Sequence, residues 1–385
     1  MDLIILGASG SIGTQSIQLL KNLEKKWTLA GFSIGNKAFF IDQILSDFGN
    51  VRAICVKNKK DYIKYKKKYK SVKFFYGNKG LIHLINYLHG AVVLNALVGF
   101  VGLKPSLVAI KKKRTLLLAN KESLVCGGEL INKSLKKGGR LIPIDSEHVG
   151  LKKCMYGRTL DEVEELIITA SGGPFYNLSL EELKNVTKED ALKHPTWQMG
   201  EKITIDSATM MNKTFELIEA HYLFDIPIEK IHAIVNRKSK VHSLIHLKNG
   251  NYVLNVGPND MKIPISYALN YGEPLFDNKF DDVEINTYDN YEFLPLTEER
   301  FGFLKFANIV DKNGGDSGTI LNAINEVCVR SFLNDEIKFI DIVNIVDKIF
   351  KGADFHKAYS YNYLFLINKI YRKKAQKLIK KGKKI

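Results

Sequence analysis

Along the first third of the chain, short apolar runs alternate with stretches whose apolar residues recur at helical spacing. Residues 3–6 are apolar and run into Gly7-Ala8-Ser9-Gly10-Ser11-Ile12-Gly13, after which Ile12, Ser16, Leu19, Leu20 and Leu23 fall on one helical face. This pattern predicts strand, glycine turn, helix. Apolar segments at 29–34, 53–56, 91–94, 115–119 and 141–144 follow, with helix-compatible stretches between most of them. Such alternation predicts an α/β fold with a mostly parallel sheet in a domain spanning 1–145. From 146 to 267 the pattern mixes strands (165–169, 231–235, 252–256) with helices and one irregular stretch, 171–203, predicting an α+β central domain. Residues 268–300 are rich in Asp, Asn, Glu, Tyr and Pro without a sustained period, and read as a connecting segment. Within 301–385, residues 317–333, 335–350 and 357–381 read as three amphipathic helices.

Composition narrows the function classes. The chain has 385 residues, 45% hydrophobic and 25% charged, ordinary values for a folded globular protein. The longest apolar run, Ala91 to Leu103, is broken by Asn95 and falls short of the roughly 20 residues that cross a bilayer, so no membrane partner is expected. Asp2 stands where a secretory signal would carry positive charge, and the four cysteines show no paired spacing; both features point to a cytoplasmic protein with reduced thiols. The net charge of +16 resides in two segments. Lys57–Lys70 holds eight lysines and one aspartate, and Lys369–Ile385 holds nine basic residues and no acid; the rest is balanced, 40 basic against 40 acidic. Only eight basic residues are Arg, so the lysines read as solvated faces rather than a nucleic-acid site. Residues after Arg372 are accordingly expected to form a solvated helix end that turnover does not need.

Four motifs carry candidate chemistry. The glycine loop at 7–13 has the context in which a pyrophosphate rests on a helix N-terminus. After the second strand, Phe32-Ser33-Ile34-Gly35-Asn36-Lys37 holds no acid to bond a ribose 2′-hydroxyl and offers Lys37 to a 2′-phosphate, which favours NADP over NAD. Asp145 and Glu147, in Pro143-Ile144-Asp145-Ser146-Glu147-His148, would point the same way in an extended segment; a hard cation such as Mg²⁺ or Mn²⁺ would relieve their repulsion, and a surface loop capping the next helix is the alternative. Asp206 or Ser207 reads as the N-cap of a helix on which Asn212, Lys213 and Glu216 share a face, while Met210, Met211, Phe215 and Ile218 cover its buried side. A solvated face with a Lys–Glu pair explains the polar trio equally well. Ser171-Gly172-Gly173 offers a hydroxyl and backbone N–H groups to an anion, and Ala191 to Gly200 places Trp197 and Met199 in a loop suited to a lid.

Taken together, these segments resemble the 1-deoxy-D-xylulose 5-phosphate reductoisomerase family. The resemblance rests on Gly7–Gly13, Leu118–Val125 (Leu-Ala-Asn-Lys-Glu-Ser-Leu-Val), Pro143–His148, Ser171–Phe175, Ala191–Gly200, Ile205–Lys213 and Leu321–Glu326, in order along nearly the whole chain. It implies a Rossmann-like NADPH-binding N-terminal domain, a central catalytic and dimerisation domain with a flexible loop, a C-terminal helical domain and a homodimer. The implied activity is NADPH- and divalent-metal-dependent conversion of 1-deoxy-D-xylulose 5-phosphate to 2-C-methyl-D-erythritol 4-phosphate, in the non-mevalonate route to isoprenoid precursors. By matching position, Asp145, Glu147 and Glu216 would hold the metal and, with Lys121 and His194, form the catalytic set. Lys121, Ser146, Glu147, Ser171, His194, Trp197, Ser207, Asn212, Lys213 and Glu216 would bind substrate, its phosphate lying among Ser171, Ser207, Asn212 and Lys213. Gly7, Ser9, Gly10, Ser11, Ile12, Gly35, Asn36, Lys37, Asn120, Glu122 and Gly200 would contact cofactor, with Trp197 and Met199 closing over the site.

Three segments depart from the family pattern, the first being the glycine loop, with Ala8-Ser9 for the usual Ser-Thr. Asn236-Arg237-Lys238-Ser239 stands where H-P-Q-S is typical, and Asn259-Asp260-Met261-Lys262-Ile263-Pro264 where P-D-M-R-x-P is typical. Two other readings remain: a different NADP-dependent sugar-phosphate or semialdehyde dehydrogenase, which has no use for the three carboxylates, and an NADPH-binding protein with its lysine tail on a polyanion, which predicts salt-sensitive binding.

Overall fold

Seven short strands form the first sheet: β1 (Asp2–Leu6), β2 (Thr28–Ile34), β3 (Ala53–Val56), β4 (Lys73–Tyr76), β5 (Val92–Asn95), β6 (Thr115–Leu118) and β7 (Arg140–Pro143). In this computed structural model, which describes residues 1–22, 26–197, 199–273, 291–297 and 302–382, every pairing in that sheet is parallel and the order is β4-β3-β2-β1-β5-β6-β7. Both faces are covered, which is why the strands are continuous apolar runs: Leu3 to Leu6, Ala53 and Ile54, and Leu116 to Leu118 are fully buried. The crossovers are helices α1 (Ser11–Asn22), α2 (Phe40–Asp47), α3 (Lys59–Lys68), α4 (Gly77–Tyr87), α5 (Leu103–Lys111) and α6 (Glu122–Leu135). Strand order reverses between β1 and β5, and ligands of open parallel sheets bind at the carboxyl ends of strands at such a point. Strand β4, Lys-Phe-Phe-Tyr, escapes the sequence pattern because as an edge strand it buries Phe74 while exposing Lys73 and Tyr76.

The chain divides into two compact units, Met1–Ser123 with Leu130–Asp145 and Asp260–Lys279, and Leu124–Glu129 with Ser146–Asn259 and Phe280–Ile385. This differs from boundaries at 145 and 267. The return of Asp260–Lys279 to the first unit has a visible cause: the Trp27 indole N–H donates to the Leu269 carbonyl (3.1 Å), and its ring stacks on Tyr271 (5.6 Å between centroids). Residues 274–290 and 298–300 of the expected connecting segment lie outside the described residues.

The second unit holds α7 (Ser146–Cys154), β8 (Val163–Ala170), α8 (Lys188–Ala191), α9 (Glu201–Thr209), α10 (Met211–Phe224), β9 (Ile231–Val235), β10 (Val241–Leu247) and β11 (Tyr252–Val256). Helix α11 (Lys262–Leu269) belongs to the first unit, whereas β12 (Leu294–Pro295), α12 (Lys305–Asn313), α13 (Ser317–Leu333), α14 (Phe339–Lys351) and α15 (Tyr361–Gly382) complete the second. Its sheet runs β11-β10-β8-β9-β12, antiparallel except for β8 with β9. Strand β10, Val-His-Ser-Leu-Ile-His-Leu, was not expected from the pattern: His242, Ser243 and His246 interrupt the apolar run, yet its pairing with β8 and β11 makes it central.

Three local expectations need correction. Residues 171–203 are not wholly irregular, since α8 lies within them and Gly200 is the N-cap of α9. Asp206 and Ser207 lie inside α9 instead of capping the next helix; the break falls at Met210, in left-handed conformation (φ 64°), and α10 starts at Met211. Nor is the basic tail merely solvated. Lys377, Lys380 and Lys381 are exposed, but Ala375 and Ile379 on the same helix are 0% and 5% exposed and belong to the core. No helix among the described residues is long and apolar enough to cross a membrane.

Candidate active site

The glycine loop forms where β1 ends. Gly7 adopts φ 91°, and a Cβ on it would stand 2.6 Å from the Ala96 carbonyl oxygen; a Cβ on Gly13 would stand 2.3 Å from the Gly7 oxygen. The loop therefore has no room for side chains at these positions, and its backbone supplies the surface. The N–H groups of Gly7 and Ala8 donate to Ser33 Oγ (3.0 Å) and Ser33 O (2.9 Å), tying the loop to the end of β2, and Gly10 N–H donates to Gly7 O (3.0 Å). Gly10 and Ser11 are exposed where α1 begins, while Ser9 and Ile12 are half-buried. This cradle fits a pyrophosphate on a helix N-terminus. Beyond β2, Gly35 is open on its Cβ side, Lys37 is exposed, and Lys57 Nζ donates to Asn36 Oδ1 (2.9 Å).

Asn120 and Glu122 are turned inward. Asn120 is 1% exposed, and its Nδ2 donates to the carbonyls of Leu97 (2.8 Å) and Gly99 (3.1 Å) and to Glu122 Oε2 (2.7 Å). A Cβ on Gly102 would collide with Asn120 Oδ1, so glycine and amide fit each other. The two residues thus hold the wall behind the strand ends. Gly200 lies in the second unit, apart in sequence from the rest of the expected cofactor set.

The carboxylates gather where β7 passes into α7. Asp145 ends one segment of the first unit and Ser146 begins a segment of the second, so the chain itself keeps Asp145 and Glu147 two residues apart. Glu147 sits in the first turn of α7, not in an extended segment, and Ser146 Oγ donates to its Oε2 (2.6 Å). Glu216 projects from α10 and is 1% exposed. Glu147 and Glu216 each offer an oxygen within 4.8 Å of the other, and Asp145 lies two residues before Glu147 in the chain. Basic groups partner the acids: Lys121 pairs with Asp145 (2.9 Å), and Lys213 pairs with Glu147 (2.8 Å) and with Glu216. Burial works to lower the Lys213 pKa, but Glu147 and Glu216 outweigh it, so the group stays charged with its pKa raised. Lys213 also donates to the Thr169 carbonyl and Asn212 Nδ2 to Glu216 Oε1 (2.5 Å), so both residues face the carboxylates.

An oxygen-only trio suits a hard divalent cation. His148 and Glu219, which offer ligand atoms within 4.8 Å of each other, add a fully buried imidazole. His148 Nε2 lies 3.0 Å from the Glu216 carbonyl and Nδ1 3.8 Å from Glu219, which ties α7 to the turn of α10 that presents Glu216. Pattern alone gave His148 no role, since a lone histidine carries no spacing signal.

Ser171-Gly172-Gly173 follows β8. Gly172 and Gly173 take φ of 79° and 68°; a Cβ on Gly173 would stand 2.9 Å from Ser207 O, which brings the loop against α9. His194 Nδ1 accepts from the backbone N–H groups of Thr196 (3.2 Å) and Trp197 (3.0 Å), which assigns the proton to Nε2, 3.2 Å from Ser171 Oγ. Gly173 N–H also donates to Ser171 Oγ (3.1 Å). With two donors on its oxygen, Ser171 has its own O–H left to give to a ligand. Burial, with Arg237 adding to it, pushes the His194 pKa down to about 4, so the imidazole is neutral at pH 7. The Trp197 ring lies 6.4 Å from His242, and Met199 is half-buried. Of the residues expected at the phosphate, Ser207 backs onto Gly173 through its carbonyl, and Asn212 and Lys213 face the acids. Asp206 pairs with Lys202 (2.8 Å) and accepts from Asn325 (2.8 Å), a structural role its sequence position did not signal.

A parallel-sheet domain with a glycine cradle, and a second unit bearing buried acids, lysines and an anion-ready loop, define a nucleotide-dependent enzyme acting on a small charged substrate. Comparison with known proteins makes this specific. Residues 3–128 match the family model for 1-deoxy-D-xylulose 5-phosphate reductoisomerase, residues 141–224 that for the reductoisomerase C-terminal domain, and residues 256–374 that for the DXP reductoisomerase C-terminal domain. Curated relatives named 1-deoxy-D-xylulose 5-phosphate reductoisomerase include those of Macrococcus caseolyticus (40% identical) and Geobacillus sp. strain WCH70 (42%), each match covering 91% of this chain and 92% of the relative. The reductoisomerase from Zymomonas mobilis, solved with NADPH, superposes with a TM-score of 0.89 at 33% identity over 98% of both chains. A DOX-P reductoisomerase solved with NADPH, fosmidomycin and magnesium gives 0.92 at 32% identity, covering 100% of this chain and 99% of the other. The chain belongs to the 1-deoxy-D-xylulose 5-phosphate reductoisomerase family.

Proposed function

We infer that the chain converts 1-deoxy-D-xylulose 5-phosphate to 2-C-methyl-D-erythritol 4-phosphate with NADPH and a divalent cation, supplying isoprenoid precursors by the non-mevalonate route. The observation that carries this reading is the gathering of Glu147 and Glu216 about Lys213 in the second unit, with Asp145 paired to Lys121 in the first. Held by Asp145, Glu147 and Glu216, the cation would supply polarisation of the substrate ketone and its neighbouring hydroxyl for the skeletal rearrangement to a branched aldehyde, and NADPH would supply the hydride that reduces it.

The protein's own groups do the rest. Three carboxylates against two ammonium groups leave one negative charge, which a divalent cation turns to one positive, matched to an anionic chelating substrate. Asp145, Glu147 and Glu216 hold the cation; the oxygen set is preferred to the His148 group because Mg²⁺ and Mn²⁺ favour oxygen. Lys121 stands beside Asp145 and holds substrate near it, and Ser146 orients Glu147. Ser171 and Ser207 donate to the phosphate, with Asn212 and Lys213 steering the acids from α10 and completing the phosphate donors. His194, neutral, orients the Ser171 hydroxyl, and Trp197 with Met199 closes over the substrate to exclude water. Gly7, Ser9, Gly10, Ser11 and Ile12 cradle the pyrophosphate, and Gly35, Asn36 and Lys37 take the 2′-phosphate side of the ribose. Asn120, Glu122 and Gly200 complete the cofactor surroundings. The protein acts as a cytoplasmic homodimer, which light scattering checks as twice the 43.6 kDa chain mass.

The direct test is NADPH oxidation monitored with 1-deoxy-D-xylulose 5-phosphate. Turnover is expected with Mg²⁺ or Mn²⁺, with NADPH much preferred to NADH, and is abolished by a chelator. Turnover unaffected by chelation removes the role given to the carboxylates.

A further inference from the structure

We propose that Arg237 is a positioning residue for the phosphate end of the substrate, its guanidinium clamping the Ser171–Gly173 loop so that the loop's donors face the ligand. This rests on the reading above that Ser171 takes the phosphate. Arg237 lies in the turn after β9, where the chain departs from the family pattern, so the sequence marked it only as an irregularity.

Nη1 of Arg237 donates to the carbonyls of both Ser171 and Gly173, the latter at 3.1 Å. The guanidinium also lies over the Tyr176 ring, 5.2 Å from its centroid. One flat cation thus bridges two carbonyls and stacks on an aromatic ring, which an ammonium cannot do. The loop has little freedom around it. A Cβ on Gly172 would stand 2.7 Å from the Tyr176 ring and 2.9 Å from Arg237 Nη1, and both glycines take left-handed φ.

The clamp decides where the donors point. Among the described residues no peptide bond is cis, so with the Ser171 carbonyl held toward Arg237, the Gly172 N–H of the same peptide points away from it. Residue 174 is proline and brings no N–H to the peptide of the Gly173 carbonyl. Gly173 N–H is used on Ser171 Oγ. The donors left on the far side are the Gly172 N–H and the Ser171 hydroxyl, and a cation behind the loop favours an anion in front of them. The same guanidinium helps keep His194 uncharged, which preserves the Nε2–H directed at Ser171.

The test uses R237A and R237K in the full-length protein. For R237A, KM for 1-deoxy-D-xylulose 5-phosphate and the inhibition constant of inorganic phosphate should each rise about 10- to 100-fold, with kcat within about threefold of wild type. NADPH affinity and the thermal midpoint should stay near wild type, and R237K should fall between. Unchanged KM and phosphate inhibition overturn the proposal. So does a joint loss of NADPH affinity and thermal midpoint in both variants, which marks a merely structural residue. If the wild type shows no turnover with this substrate, the functional reading fails on its own. Inorganic phosphate then decides the clamp: raising the thermal midpoint of wild type but not of R237A supports it, and equal shifts overturn it.

Discussion

Lys213 is 3% exposed yet charged because Glu147 and Glu216 face it, and this mutual dependence shapes what a substitution can do. Replacing Glu216 by Gln keeps the size and the contact with Asn212 but removes a ligand charge that an amide cannot supply. E216Q is expected to weaken Mn²⁺ binding on the order of 100-fold and to abolish most turnover, while NADPH affinity stays intact because the glycine cradle is untouched. Titration with Mn²⁺ beside titration with NADPH checks this, and normal metal dependence in E216Q would sink the three-carboxylate site. His194 carries a pH signature. Its folded pKa lies near 4 against the usual 6.5, so between those values the unfolded chain takes up a proton that the folded chain refuses. Stability from this group is therefore full above about pH 6.5 and declines as pH falls toward 4. Urea midpoints measured from pH 4 to 7 should fall less steeply in H194N than in wild type; parallel profiles would refute the burial assigned to this ring. The acids, the glycine loop and the Ser171 turn were legible because each has a rigid local spacing. Their lysine partners were not: Lys121 lies 24 residues from Asp145, and Lys213 lies 66 from Glu147, and only folding brings them together.

Helices and strands show the same division between what is local and what is not. Helix α13 coincides with the expected 317–333 because its apolar period is unbroken, and Met210, Met211, Phe215 and Ile218 are buried as expected. Asp206 looked like a cap because Asp and Ser before an apolar run usually are; Lys202 and Asn325 engage it instead, and the left-handed Met210 ends α9. Helix α15 was expected as an amphipathic helix, but its end after Arg372 was read from its lysines, and the buried stripe of Ala375 and Ile379 there went unweighted. That stripe makes the tail part of the fold. I379A should cost about 2–4 kcal/mol in urea unfolding, since it opens a cavity at a 5% exposed position. Lys377, Lys380 and Lys381 changed together to Gln should stay within about 0.5 kcal/mol each of wild type. Truncation after Arg372 removes Ala375 and Ile379 and should follow I379A, not the lysine variant; wild-type stability of the truncated protein would show that the stripe contributes nothing.

Over the whole chain, net charge is segregated into two segments, and this separates it from the site. The net charge of +16 resides in Lys57–Lys70 and Lys369–Ile385, and the remainder balances. On α3 and α15 those lysines point outward while Tyr65, Ala375 and Ile379 point in, so each basic segment is one amphipathic helix with a solvated face. The return of Asp260–Lys279 to the first unit shows what such a reading cannot supply: Trp27 and Leu269 are 242 residues apart, and no period in either segment names the other as its partner. Charge patterning, being local, does support a prediction for the intact molecule. Substrate and cofactor are anions, so a field of +16 could attract them generally, or the site could bind them through its own few cations. At 0.15 M salt the Debye length is about 8 Å, and exposed lysines act little beyond it. A variant with Lys60, Lys64, Lys67, Lys377, Lys380 and Lys381 changed to Gln should elute earlier from a cation exchanger yet keep kcat/KM within about twofold at that salt. A fall of tenfold would mean that the lysine faces themselves recruit the anions, and the site's lysines and backbone donors would then account for only part of substrate capture.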